Sequence, residues 1–180
     1  MQIIDVSNDE NFIRKVAECL LDGFTTFGVQ PWENLAEAIE EVEESLAENR
    51  ISRATIDDNG SVLGWIGGIH SYALVWELHP LVVRSDLQGR GIGTALVKDL
   101  EQQVKQRGGL TIQLGTDDEA NQTSLGGIEL YPNALEKLAE IRNLRRHPFE
   151  FYQKLGYEIT GVVPDANGFG KPDILMCKRV

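Results

Sequence analysis

The chain has 180 residues, 42% of them hydrophobic and 25% charged, an ordinary balance for a single globular domain over 1–180 that buries its own core. With 28 acidic against 17 basic residues the formal net charge is −11, which argues against a nucleic acid partner and suits a cationic one. No apolar run approaches the roughly 20 residues of a membrane helix, the first residues lack the basic and apolar stretches of a signal peptide, and Cys19 and Cys177 form neither a disulfide framework nor a metal spacing. The expectation is a cytoplasmic protein with no metal and no membrane partner.

A first strand is expected over residues 2–6. Asn8 or Asp9 is placed to cap a helix running to about residue 22, with Phe12, Val16, Cys19 and Leu20 on one face. The loop at 23–31 carries Phe24 and Phe27, and Trp32 follows; such aromatics serve as core plugs or as a substrate lid. The next helix has Leu35, Ile39, Val42 and Leu46 as its buried stripe. Residues 33–50 contain seven glutamates and one arginine, so the helix presents either a solvated face or an acidic wall that concentrates a polycation. A strand at 51–57, a hairpin turn at Asp57, Asp58, Asn59 and Gly60, and a strand at 62–70 follow. A short turn at Ser71 and Tyr72 leads into a third strand from about residue 74.

That third strand ends in a glycine-rich turn at 85–93, then a helix over 92–107 with Ile92, Leu96, Leu100 and Val104 at helical spacing. Gly108 and Gly109 stop the helix. A strand at 110–114 ends in Gly115, Thr116, Asp117 and Asp118. A turn-rich connection covers 119–132, a helix 133–142, and a second helix starts at His147 and Pro148 with Phe149, Phe151, Tyr152 and Leu155 apolar. Strands at 157–163 and 173–179, joined by a turn-forming loop at 164–168, close the chain. The pattern predicts an α/β protein, a mixed sheet with helices on both faces.

A strand, a glycine turn and a helix N-terminus together make a phosphate cradle, because glycines let the backbone approach and the first helical N–H groups point at the ligand. Arg84 and Arg90 add positive charge there. Gly89, Gly91 and Gly93 give G-x-G-x-G, with Thr94 where a dinucleotide fingerprint wants its last glycine, and the turn sits mid-chain. No Gly-Lys-Ser/Thr follows, so it is not a P-loop. It does fit Gln-x-x-Gly-x-Gly, through Gln88, Gly91 and Gly93.

Chemistry is expected just before this turn. Pro80 lacks an N–H and predicts a bulge in its strand. Alternation puts Glu77, His79 and Leu81 on one face, unless the bulge rotates Leu81 out of register. Unpaired backbone near Leu81 would bind an extended amide ligand by strand addition. Glu77 and His79 together are suited to share a proton or fix a water; the alternative is a hydrogen-bonded pair at a strand end. His70 and His147 lack such company and read as structural or cap residues. Of Asp117 and Asp118, one is placed to hold an ammonium, or both cap the next segment.

The Gln-x-x-Gly-x-Gly turn, the strand from Trp76 to Val83 and the Phe151, Tyr152, Gln153, Lys154, Leu155, Gly156 helix end resemble the GNAT superfamily of N-acetyltransferases. Four blocks look like those of the enterococcal aminoglycoside 6′-N-acetyltransferase subgroup: 76–83; 114–118; Asn143 to Arg145 with His147 and Pro148; and Asn167 and Gly168 with 171–174. The similarity covers nearly all of the chain from about residue 50. It implies an acyl-CoA N-acyltransferase fold, with mostly antiparallel N-terminal strands and a splayed central parallel pair. It also implies acetyl-CoA as co-substrate, a cationic amine acceptor such as the 6′-amine of an aminoglycoside, and a homodimer.

Carried onto this sequence, Leu81, Val82 and Val83 meet the thioester and pantetheine. Gln88, Gly89, Arg90, Gly91, Ile92, Gly93 and Thr94 cradle the pyrophosphate. Glu77 and His79 attend the acceptor amine, Asp117 contacts the cationic acceptor, and Tyr152 faces the sulfur as general acid. Phe169 and Gly170 depart from the tryptophan and aspartate expected of the subgroup. Rival readings keep the chemistry but change the acceptor to a protein lysine, a polyamine or another metabolite. Others make the chain an acyl-CoA sensor or a nucleotide-dependent oxidoreductase.

Overall fold

The computed structural model describes residues 1–25 and 31–180; Phe27 of the expected aromatic loop lies outside them. The chain divides into two compact units, residues 1–112 with 180, and residues 113–179.

The first unit contains β1 (Gln2–Asp5), α1 (Glu10–Phe24), α2 (Leu35–Glu44), β2 (Arg50–Ile56), β3 (Val62–Tyr72), β4 (Val75–Val83) and α3 (Ile92–Gln106). Its strands pair antiparallel in the order β1-β2-β3-β4. Helices α1 and α2 start where the sequence offers an acceptor. Asp9 takes the Phe12 N–H at 2.8 Å, and Asn34 takes those of Ala36 and Glu37 at 2.9 and 3.1 Å. Glu37 reaches back to the Glu33 N–H at 2.7 Å, closing a capping-box arrangement. The buried stripe of α1 runs through Ile13, Val16, Ala17 and Leu20, which displaces Phe12 to its half-buried edge. At the hairpin, the Asp57 carboxylate accepts from Asn59 and Ser61 N–H at 2.9 and 2.8 Å. The β3–β4 turn falls later than expected, at Ala73 and Leu74, because Tyr72 still pairs with Val75.

Helices α1 and α2 bury one face of this sheet around Trp65, Ala54, Val62 and Val82. The indole N–H of Trp65 donates to Ser52 Oγ at 3.0 Å, so the one polar atom of that ring is satisfied inside the core. Helix α3 covers the other face, where Leu96 and Ile92 fill the space above Gly64 and Leu100 that above Gly68.

The bulge foreseen at Pro80 is present. Ile66 pairs with Leu81 while Gly68 pairs with Leu78, so β4 spends one residue more than β3 over this interval. The consequence is an exchange of faces. Paired residues of an antiparallel ladder project to the same side. Leu78, opposite Gly68, and Val83, opposite Gly64, therefore both face α3, although their offset along the chain is odd. Val82 belongs to the α1–α2 core. Glu77 thus lies on the α1–α2 face before the bulge, and Leu81 lies on the α3 face after it. The expectation that simple alternation keeps Glu77, His79 and Leu81 together gives way to the rotated register.

The second unit holds most of β5 (Thr111–Asp117), then α4 (Ala134–Ala139), α5 (Phe149–Lys154), β6 (Glu158–Val163) and β7 (Asp173–Arg179), with strand order β5-β7-β6. Strand β5 runs further than expected and includes Asp117. Helix α4 is shorter than expected, starting only after Asn133, whose φ of 73° is left-handed. Leu125, Leu130 and Leu138 form a small core under the connection between β5 and α4, with Ile159 and Val162 packed against it. Among the described residues no helix is long and apolar enough to cross a membrane.

Candidate active site

After β4 the chain makes one tight 3-10 turn, Ser85–Leu87, then passes Gln88, Gly89, Arg90 and Gly91 into α3. Gly89 and Gly91 have φ of 74° and 86°, and a Cβ at either would meet nothing within 4 Å. Glycine is needed there for its backbone conformation, not for want of space. No side chain caps α3. The N–H groups of Ile92, Gly93 and Thr94 are therefore left at the positive end of the helix dipole without a side-chain acceptor, the arrangement that binds a phosphate.

Four hydrogen bonds hold this turn in place. The Asp22 carboxylate, at the end of α1, accepts from the Ser85 N–H at 2.7 Å and from its hydroxyl at 3.0 Å. The Gln88 side-chain amide donates to the carbonyls of Gly23 and Val83, both at 3.1 Å. Gln88 thus braces the turn with its side chain. Gly23 lies so close to β4 that a Cβ would stand 2.7 Å from the Val83 carbonyl oxygen. Of the two arginines expected to add charge, Arg84 is held bidentately by Asp86 at 2.9 and 2.7 Å, which keeps the Asp86 carboxyl below its ordinary range. Arg90 is exposed, with no ion pair among the described residues.

On the α1–α2 face of β4, Glu77 accepts a hydrogen bond from Ser71 Oγ at 3.3 Å. His79 is half exposed, and its Nε2 stands 3.8 Å from Oε1 of Glu41 on α2. His70 stacks on Trp76 at 4.9 Å between ring centres, a structural position.

In the second unit the two aspartates part company. Asp118 is fully buried and accepts from the N–H groups of Gln122 and Thr123 at 2.6 and 2.8 Å and from the Thr123 hydroxyl at 2.7 Å. It organises the next turn. Asp117 is exposed, and its Oδ1 accepts a hydrogen bond from the Asn167 side chain. His147 is buried and secures the same strand end. Its Nε2 lies 3.0 Å from the Asp117 carbonyl oxygen, and its Nδ1 accepts the Phe149 N–H at 3.2 Å. Those partners require a neutral imidazole with its proton on Nε2, and burial lowers the His147 pKa in the same sense. Tyr152 is buried between Phe151 and Tyr157, with ring centres 5.0 and 5.7 Å away. Burial raises its pKa above the ordinary 10, so the phenol keeps its proton.

The structure thus gathers Glu77, His79, Leu81, Val82, Val83 and residues 88–94 in the first unit, and Asp117 and Tyr152 in the second. The sequence reading passed over Asp22 and Glu41, and it named Asn167 in a motif block without giving it a partner. An acidic residue at a helix end or on a charged helix carries no local mark of the partner it will meet in the fold.

The acetyltransferase (GNAT) family model matches residues 18–132. The chain is similar to a solved aminoglycoside 6′-N-acetyltransferase complexed with coenzyme A, at 43% identity and a TM-score of 0.89, covering 99% of this chain and 97% of that one. It is similar to the aminoglycoside 6′-N-acetyltransferase from Enterococcus faecium at 44% identity and a TM-score of 0.88, with the same coverage. An aminoglycoside 6′-acetyltransferase of type Ii follows at 36% identity and a TM-score of 0.72, again over 99% and 97% of the two chains. No curated protein sequence matches the chain significantly.

Proposed function

The chain belongs to the acetyltransferase (GNAT) family, and on that premise we propose that it transfers an acetyl group from acetyl-CoA directly to the 6′-amine of an aminoglycoside. The observation that carries the acceptor is the likeness, at 43% and 44% identity over 99% of the chain, to two aminoglycoside 6′-N-acetyltransferases. The cofactor reading is supported by the uncapped start of α3 behind two left-handed glycines. Residues 88–94 hold the pyrophosphate, through backbone N–H groups in the main because the Gln88 side chain is engaged elsewhere. Leu81, Val82 and Val83 hold the pantetheine and thioester through their backbone. The exchange of faces at the bulge supports this division, since it separates Leu81 from the Glu77 and His79 side.

In the reaction a neutral amine attacks the thioester carbonyl carbon. The Leu81 N–H stabilises the developing oxyanion. Glu77 or His79, through a water, takes the proton the nitrogen loses, and Asp117 receives another ammonium of the polycation. The C–S bond breaks, and Tyr152 gives its proton to the departing thiolate. Burial keeps the phenol protonated and also makes it a weaker acid than a free tyrosine, so the proton passes only as full thiolate charge develops on the leaving sulfur. The family model crosses the division between the two units, which supports reading them as one acetyltransferase domain. A homodimer follows from the sequence resemblance alone, and sedimentation tests it.

The deciding experiment measures thiol release from acetyl-CoA with an aminoglycoside bearing a 6′-amine and with its 6′-hydroxyl analogue. Release with the amine alone is the expected result. Release with both refutes the position, and release with neither refutes the acceptor and directs the search to polyamines and protein lysines.

A further inference from the structure

The strongly acidic segment at 33–50 is only partly a solvated face. Glu40, Glu43 and Glu44 are exposed, and Glu37 is occupied with the helix cap. Glu41 differs: its side chain is 18% exposed, and its neighbour on the helix, Val42, is buried. A partly covered carboxylate gains more from an ion pair than the fully solvated glutamates of the same helix do. Among the described residues His79 is its one charged partner, at 3.8 Å through Nε2. The bulge fixes this approach. Gly67 stands opposite it, and a Cβ there would lie 2.2 Å from the His79 carbonyl oxygen, so the missing side chain lets the His79 backbone settle onto β3.

We infer that Glu41 is a positioning residue for His79, holding the imidazole by its Nε2 edge so that Nδ1 is the atom left to take the proton of the acceptor amine. This rests on the acetyl-transfer reading. In the proposed step an N–H bond of the attacking nitrogen breaks and an Nδ1–H bond forms, directly or across one water. The imidazolium then directs its Nε2–H at the Glu41 carboxylate. The 3.8 Å separation is longer than a hydrogen bond, as catalytic pairs often are before substrate tightens them. Glu77 faces the same side of β4 and is the other charged group near His79 on that strand; its hydrogen bond from Ser71 gives it a separate anchor.

The test is a double-mutant cycle on acetyl transfer, with Glu41→Gln measured in the wild-type and His79→Ala backgrounds. The expected result is a fall in kcat of about tenfold, the low end for a residue that orients a ligating or catalytic imidazole, with KM for acetyl-CoA unchanged. The same substitution should change kcat less than about twofold once His79 is gone. Glu41→Asp keeps the charge but draws it back by one methylene; it should fall between Glu41→Gln and wild type, again only with His79 present. Melting temperatures check that each variant is folded. Equal losses in both backgrounds, or no loss in either, overturn the role while leaving acetyl transfer standing. A wild-type protein that releases no thiol with any amine overturns the functional reading and this role with it.

Discussion

Replacing Gly67 by alanine should damage both stability and acetyl transfer, and the structure gives the size of the effect. The added Cβ would lie 2.2 Å from the His79 carbonyl oxygen, 3.0 Å from its carbonyl carbon and 3.3 Å from Pro80 Cδ. Ordinary contact begins near 3.4 Å, so the strands must separate by about 1 Å at the point where the bulge is built. The neighbours are backbone and a proline ring, none of which can swing aside. Overpacking of this kind costs about 1–3 kcal/mol, and for a chain of this size each kcal/mol lowers Tm by about 2–4 °C. Gly161→Ala is the matched control. It too is a strand glycine, but its Cβ would find only Leu175 atoms at 3.5 and 3.8 Å, ordinary contact. That change should be neutral or slightly stabilising, since it reduces the freedom of the unfolded chain. Thermal unfolding of both variants, with kcat and KM for acetyl-CoA, checks the argument. A Gly67→Ala protein that melts and turns over like Gly161→Ala would show that the bulge does not depend on this close approach, and the exchange of faces at Pro80 would need another cause.

Gly91→Ala places a side chain at φ 86°, where the strain is about 1–2 kcal/mol; KM for acetyl-CoA should rise more than kcat falls, as measured by steady-state kinetics. Tyr152→Phe should lower kcat at least tenfold while changing Tm little, because the ring keeps its packing against Phe151 and Tyr157; an unchanged kcat removes the general-acid role. His147 has a folded-state pKa lowered from 6.5 by burial, so the unfolded chain binds its proton more readily. Its contribution to stability is fully present above about pH 6.5 and is lost as pH falls through the folded value. Urea unfolding of wild type and His147→Asn between pH 5 and 8 should show less pH dependence in the variant.

The fold was legible wherever local chemistry decides local structure. Asp9, one of the two capping residues offered, caps α1, Asp57 and Gly60 make the hairpin, and Pro80 breaks the β4 ladder. The glycine turn was legible for the same reason, since Gly89 and Gly91 have the conformations that only glycine adopts freely. Boundaries moved where pairing outvoted propensity, as when Tyr72 joined the ladder through Val75. The direction of side chains past the bulge was open in the sequence. Along β4 buried and accessible residues alternate without a break, yet the buried ones lie on opposite faces before and after Pro80. Only the partner strand reveals this, because the face of a residue is a property of the pair. The same holds for the contacts that give the candidate site its character. Asp22 with Ser85, Glu41 with His79, and Asn167 with Asp117 each join residues far apart in the chain. In the first two cases a residue with no distinctive local context meets one that the local pattern had singled out. Sequence motifs therefore mark the groups that meet the ligand more readily than those that hold them still. The acidic helix illustrates the difference: composition gives its charge, but the inward turn of Glu41 depends on where the stripe through Ala38 and Val42 docks on the sheet.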